Sequence, residues 1–195
     1  MSIENRMDIK IGPMFTAGES VNAGNVESDT KTGTRFAFTG GALGLFPFSE
    51  HIGLLLGLAY DSRGANYHLQ NDENTYANYT FSYLSLQPML DLGGFTIGLG
   101  LGLPVGASVS TSSNRSDVAP ATSDMNFLVE GRIGGAIPIM ESDQGQLQLL
   151  ISAAYPFTHI QKNIGFFGAT DVTHNNGSLA TGQIGLSYLF DLTPH

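Results

Sequence analysis

The chain has 195 residues, 42% of them hydrophobic and only 13% charged, with 25 glycines, no cysteine and a net charge of −9. That length allows one domain, residues 1–195, with a sizeable core, but the charge is about half the usual share for a water-facing surface. Disulfides and thiolate metal sites are excluded, and the acidic balance argues against polyanionic partners, so no nucleic acid is expected.

The N-terminal MSIENRMDIKIG carries acids where a signal peptide needs basic residues and lacks its apolar core, so an exported protein would be read here in mature form. Along residues 7–17, Ile9, Ile11, Pro13, Phe15 and Ala17 alternate with Asp8, Lys10, Gly12, Met14 and Thr16, a period of two that predicts a strand. Residues 34–46 begin the same way with Phe36 and Phe38, then lose parity near Gly40 and Gly41, where a bulge is expected. Over 51–63, Ile52, Leu54, Leu56, Leu58 and Tyr60 alternate with Gly53, Leu55, Gly57, Ala59 and Asp61. Residues 79–90 set Leu84, Leu86 and Pro88 against Tyr83, Ser85 and Gln87.

The stretch 92–114 carries no charge, so a hydropathy window alone would read it as a membrane helix. Gly98, Gly100, Gly102, Pro104 and Gly106 argue otherwise, at roughly 1 kcal/mol per glycine and about 3 for the proline. As a strand it places Phe95, Ile97, Leu99, Leu101, Leu103, Val105, Ala107 and Val109 on one face, with glycines, Thr96, Ser108 and Ser110 on the other. Three further strands follow at 126–138, 146–157 and 179–190, each with an aliphatic and aromatic face opposite a small or polar one.

Eight strands are thus expected, and the connections between them alternate in length. Short turns fall at 47–50, 91–94 and 139–145, while polar stretches near 18–33, 64–78, 111–125 and 158–178 make long loops, all at the opposite end. This pattern predicts an all-β fold, an eight-stranded antiparallel up-and-down transmembrane β-barrel, with outer-membrane lipid against its apolar face. Both termini then lie at the short-turn, periplasmic end, and a monomer is expected.

Seven charges fall inside the predicted strands: Asp8, Lys10, Arg35, Asp61, Arg63, Glu130 and Arg132. Parity turns all seven away from the apolar face, so they are expected to form a neutralising network inside the lumen. The row Gly98, Gly100, Gly102 and Gly106 would thin the facing wall to make room. Aromatic residues near both strand ends, among them Phe15, Tyr60, Tyr155, Phe95 and Phe190, suit two interfacial girdles.

The residues YDSRG at 60–64 and YLSLQPMLDLGGFTIGLGLGLPVGA at 83–107 resemble the PorT-like outer-membrane barrel domain, and the build is similar to that of the OmpX-like class. Tyr60, Gly64, Tyr83, Leu84 and Pro88 carry the likeness. It implies an envelope barrel, without by itself assigning a role.

Among roles, catalysis is disfavoured: of the five histidines, none has a His-x-Ser spacing, and His68 near Asp72 and Glu73 reads as a solvated cluster rather than a metal site. No cofactor is expected. A plugged barrel displaying loops for envelope structure or partner contact is the favoured reading, with Phe166 and Phe167 in the last loop as the candidate protein-partner contact. The alternatives are a narrow pore or small-solute transporter, and a soluble calycin-like barrel whose apolar face lines a ligand cavity.

Overall fold

The computed structural model describes residues 8–26, 29–113, 119–161 and 177–192. Among these described residues nine strands form: β1 (Lys10–Asn22), β2 (Thr30–Gly33), β3 (Arg35–Pro47), β4 (Ile52–Leu69), β5 (Asp72–Leu92), β6 (Phe95–Thr111), β7 (Leu128–Ser142), β8 (Gly145–Pro156) and β9 (Leu179–Asp191). Eight of them close an antiparallel ring in the order β4-β3-β1-β9-β8-β7-β6-β5, with β5 pairing back to β4, while β2 lies against the far end of β4. The ring is the predicted barrel.

Its faces are those that alternation demands. Leu56, Leu58, Leu84, Leu86, Ile97, Leu99, Ile133, Ile151, Ile184 and Leu186 are all exposed on the outside, while Asp61, Arg63, Glu130, Arg132, Gln87 and Gln183 are buried within. An outer surface of this kind has no stable home in water, whereas hydrocarbon solvates it, and the closed ring leaves no unpaired sheet edge around the belt. The barrel therefore spans a membrane. A calycin-like cavity lined by the leucines is excluded by the same observation.

The short turns are tight. Between β5 and β6, Gly93 and Gly94 adopt φ of +70° and +95°, which side-chain-bearing residues rarely take, and the Gly94 N–H donates to Asp91 Oδ1 at 2.8 Å.

The structure departs from the sequence reading at several places. No bulge interrupts β3 at Gly40 and Gly41, whose register with β1 and β4 runs unbroken; Leu43 instead points inward and is buried. A register shift does occur where Ser82 and Tyr83 of β5 oppose Gly106 and Pro104 of β6. Beyond it parity inverts, so that Ser108 and Ser110 face out, while Ala107 and Val109 pack against the interior. Between β2 and β3, Gly33 opposes Asn66 and Phe38 opposes Ser62, so five residues face four and the chain bulges around Arg35. Finally, the stretch 64–78 is not a loop: β4 and β5 continue through it to a two-residue turn at Gln70 and Asn71.

The interior is layered. Toward the loop end, Tyr67, Tyr79, Phe81, Tyr83, Met125, Leu128, Ile160 and Leu179 form one apolar cluster; toward the turn end, Met14, Leu43, Leu55, Ala59, Ala136, Leu150 and Leu189 form another. The charged residues lie between them. The two faces of the wall predict opposite responses to charge. Ile133→Arg, on the lipid face, is expected to lower unfolding stability in lipid vesicles by about 2–4 kcal/mol, and a urea titration that finds no loss would contradict the membrane belt.

Candidate functional site in the barrel interior

Asp61 and Arg63 both point inward from β4 because they sit two residues apart on one strand face, and Glu130 and Arg132 do the same from β7. The two pairs meet across the lumen. Arg63 Nη1 donates to Glu130 Oε2 at 2.6 Å, its Nη2 reaches Glu130 Oε1 at 3.3 Å and also pairs with Asp61 Oδ2, and its Nη1 lies 3.3 Å from the Leu179 carbonyl oxygen. Arg132 Nη1 donates to Glu130 Oε1 at 2.9 Å and stands 3.8 Å from Asp61 Oδ2. All four side chains are at most 3% exposed.

Two cations and two anions make the cluster neutral, which a buried site requires, since an unpaired ion there costs several kcal/mol. Arg63 binds both carboxylates at once. The planar guanidinium with its fork of donors suits this bridging position in a way that a lysine ammonium does not.

A polar layer continues below. Thr16 Oγ1 and Thr39 Oγ1 donate to Gln183 Oε1 at 2.7 and 2.9 Å, and Gln87 Nε2 donates to Ser85 Oγ at 2.9 Å. A cavity of about 30 Å³ adjoins Arg132, Gln87, Thr16 and Thr39, room for roughly one or two waters and no more.

The glycine row is only partly explained by thinning of the facing wall. A Cβ on Gly100 would come within 2.5 Å of Glu130 Oε1 and 2.7 Å of its Cγ, and one on Gly102 within 3.3 Å of Tyr83 Cβ. Gly98 instead abuts the backbone of β5 at Pro88, and Gly106 faces open space.

The remaining sequence candidates lie elsewhere. Lys10 pairs with Asp191 at 3.3 Å at the turn rim, joining the first and last strands of the ring. Asp8 is half-buried two residues ahead of β1 rather than within it. Arg35 is a correction. The bulge turns it to the outside of the wall, where its Nε donates to Thr80 Oγ1 at 3.0 Å and its Cδ lies beside Gly64, both on the face opposite Arg63 and Phe81. Phe166 and Phe167 fall outside the described residues.

Sequence reasoning missed one polar pair at the loop end, His159 Nδ1 and Ser178 Oγ, 2.9 Å apart. The hydroxyl of Ser178 is buried, its N–H donates to Asn22 Oδ1 at 2.9 Å and its carbonyl accepts from Ala23 N–H at 2.7 Å. This arrangement splints the ends of β1 and β9, and among the described residues it leaves the Ser178 N–H spent on Asn22 rather than free for an oxyanion. Only the 19-residue separation of two loop residues marks it in the sequence, which is no usable signal. Asp72, in turn, caps its own turn, accepting from Thr75 Oγ1 at 2.6 Å and Asn74 N–H at 3.1 Å, and no cluster of three metal-ligating side chains occurs among the described residues.

No family model matches the chain, and no curated protein does. Among solved structures it is similar to the outer membrane protein OprG from Pseudomonas aeruginosa, at 16% identity and a TM-score of 0.41 over 94% of this chain and 96% of that one. It is similar to AlkL, an outer membrane protein determined in DMPC bilayers, at 17% identity and a TM-score of 0.39 over 100% of this chain and 95% of that one. It is similar as well to Ail of Yersinia pestis, determined with the heparin analogue sucrose octasulfate, at 10% identity and a TM-score of 0.40 over 94% of this chain and 98% of that one. The chain's own residues, not these distant likenesses, carry the functional reading.

Removing the bridging cation should be costly. Arg63→Met, which leaves Asp61 and Glu130 facing each other, is expected to lower stability by about 3–5 kcal/mol. Gly100→Val, which drives a side chain into Glu130, should cost about 1–3 kcal/mol, while Gly106→Ala should stay within about 0.5 kcal/mol. Urea unfolding in vesicles measures all three, and equal effects at Gly100 and Gly106 would contradict the packing described.

Proposed function

We propose that the chain is a non-enzymatic outer-membrane barrel with a plugged lumen, both termini periplasmic and the loop end displayed outside the cell. The observation that carries this reading is the ion cluster spanning the lumen between β4 and β7, closed above by an aromatic layer and below by an aliphatic one. An eight-stranded ring encloses little more than its own side chains, and here those side chains are tied to one another. The narrow-pore alternative is opposed by the same cluster, because a permeating solute would have to break buried, charge-assisted bonds.

Outer-membrane lipid is the solvent of the apolar belt, and a monomer suits it, since the ring is complete within one chain. The PorT-like or OmpX-like assignment belongs to this reading; it is supported by Tyr60 and Gly64 on β4, with Tyr83, Leu84 and Pro88 on the neighbouring β5. A protein partner at the loop end, with Phe166 and Phe167 as its contact, remains part of the proposal. Envelope structure or surface interaction is what a rigid, sealed stave of this kind serves: it anchors and displays rather than conducts.

Two measurements test the proposal. In planar bilayers the protein is expected to give no steady ohmic conductance, and sustained conductance would overturn the plug. The native chain has no cysteine, so Asn71→Cys and Asp143→Cys carry single labels. An impermeant maleimide added to intact cells should modify the first and spare the second; the reverse pattern would invert the assigned topology.

A further inference from the structure

Beyond the lipid belt, the outer face of the β4–β5 hairpin changes character. Tyr60 and Leu84 are the last large apolar pair; past them the outward positions are Ser62 and Ser82, Gly64 and Thr80, Asn66 and Asn78, then His68 and Tyr76. Asn66 lies six residues beyond Tyr60, about 20 Å along the strand at ~3.3 Å per residue, or near 14 Å of height at a tilt of about 45°. The inward positions of the same hairpin, Ala65, Tyr67, Ala77 and Tyr79, are buried in the aromatic cluster, so this outer face is held on a rigid backing.

On that face Asn66, His68, Glu73, Tyr76 and Asn78 line a recess of about 460 Å³. Its polar side chains are not spent on one another: among the described residues Asn66, His68, Glu73 and Asn78 make no side-chain hydrogen bond, and Asn66 Oδ1 is shielded without a partner. Tyr76 is fixed by its backbone, which exchanges bonds with Ser112 at 3.2 and 3.1 Å. The recess therefore offers a half-exposed aromatic ring beside two carboxamides, each both donor and acceptor, and one carboxylate acceptor. A pyranose needs that set: an apolar C–H face to lay on a ring, and vicinal hydroxyls that donate and accept together. Glu73 at the recess is offset by Lys31, which opposes His68 across the β2–β4 ladder, so the face carries no net charge to hold a phosphate or sulfate, and the chain's net charge of −9 opposes one.

The recess opens sideways from the barrel wall, above the lipid boundary, rather than upward from the mouth. About 14 Å above Tyr60 the wall has passed the roughly 5–7 Å headgroup layer of an ordinary bilayer leaflet, so a membrane lipid reaches the recess only through an extended oligosaccharide head. We propose that this recess binds a neutral hexopyranose unit of a glycolipid in the same membrane leaflet, an inference that rests on the membrane-barrel reading above.

Full-length protein refolded in detergent micelles, with asparagine side chains labelled by ¹⁵N, tests it. Maltose and lactose are expected to shift the Asn66 and Asn78 side-chain amide signals saturably, and glucose 6-phosphate to shift them less. Tyr76→Phe should keep the response, and Tyr76→Ala should weaken it about tenfold; Asn78→Ala, checked for folded mobility on gels, gives a second loss. In vesicles whose two leaflets both carry globoside, a neutral glycolipid with a four-sugar head, the signals should start shifted relative to sugar-free vesicles. No response to either sugar in micelles would overturn the site, as would a response unchanged in Tyr76→Ala. A response in micelles without one on globoside vesicles would overturn the membrane source. Because sugar lines both leaflets, the result does not depend on which way the barrel inserts, so its failure is separable from failure of the assigned topology.

Discussion

The Arg63 guanidinium, bridging Asp61 on its own strand and Glu130 across the lumen, is the constraint on which the rest of the barrel depends. Ions in a medium of low dielectric cannot be left unpaired, and the strands that carry these four are far apart in the ring order. Register therefore follows from them. A slip of one residue in β4 or β7 would carry two charges from the lumen to hydrocarbon, so both strands are pinned more firmly than their apolar alternation alone would pin them. Gly100 belongs to the same requirement, since the space a Cβ would need there is filled by Glu130.

The layers on either side of the ions have a different physical basis. Outside the barrel, lipid tails match the leucines and no hydrophobic drive holds the wall together, so cohesion comes from the ladder of hydrogen bonds around the ring and from what is packed within it. The aliphatic cluster around Leu43, Leu55 and Leu189 and the aromatic cluster around Tyr67, Phe81 and Tyr83 exclude water from the ion layer on both sides. Dry surroundings strengthen each charge-assisted bond, and the bonds in turn hold the two clusters in place.

The period of two made the outer face legible, because lipid selects against every charge on one side of each strand. Leu56, Leu58, Ile97, Leu99 and Ile133 face out, and Asp61, Arg63, Glu130 and Arg132 face in, as alternation predicts. What alternation cannot register is a bulge with no sequence signature of its own. The one around Arg35 sent a charge to the outer wall, and the one opposite Ser82 and Tyr83 reversed Ala107 through Ser110. Conversely, the sequence predicts a bulge at Gly40 and Gly41, yet the register there is unbroken and Leu43 points inward, where the interior near the turn end is apolar and accepts it. The hairpin over 64–78 was hidden for a related reason: once a strand leaves lipid its outer face turns polar, and Asn, His and Ser on one side with Tyr and Ala on the other no longer contrast in hydropathy.

That hairpin also shows how a barrel can carry an ordered extension beyond its lipid belt. A two-stranded ribbon standing alone in water is marginal, yet this one has a continuous inner face of Tyr67, Tyr79 and Phe81, with Tyr67 edge-on to Tyr79 at 5.8 Å and Tyr79 stacked on Phe81 at 6.1 Å. Met125, Ile160 and Leu179, from the segments that join the other strands, pack against the same rings, and β2 adds a third strand at its edge. The ribbon's order is thus secured mainly from within, with the Arg35–Thr80 bond added on its outer face. Of its outward side chains, Asn66, His68 and Asn78 form no bond among the described residues that supports this order, which leaves them free to be fixed by what they meet outside the protein.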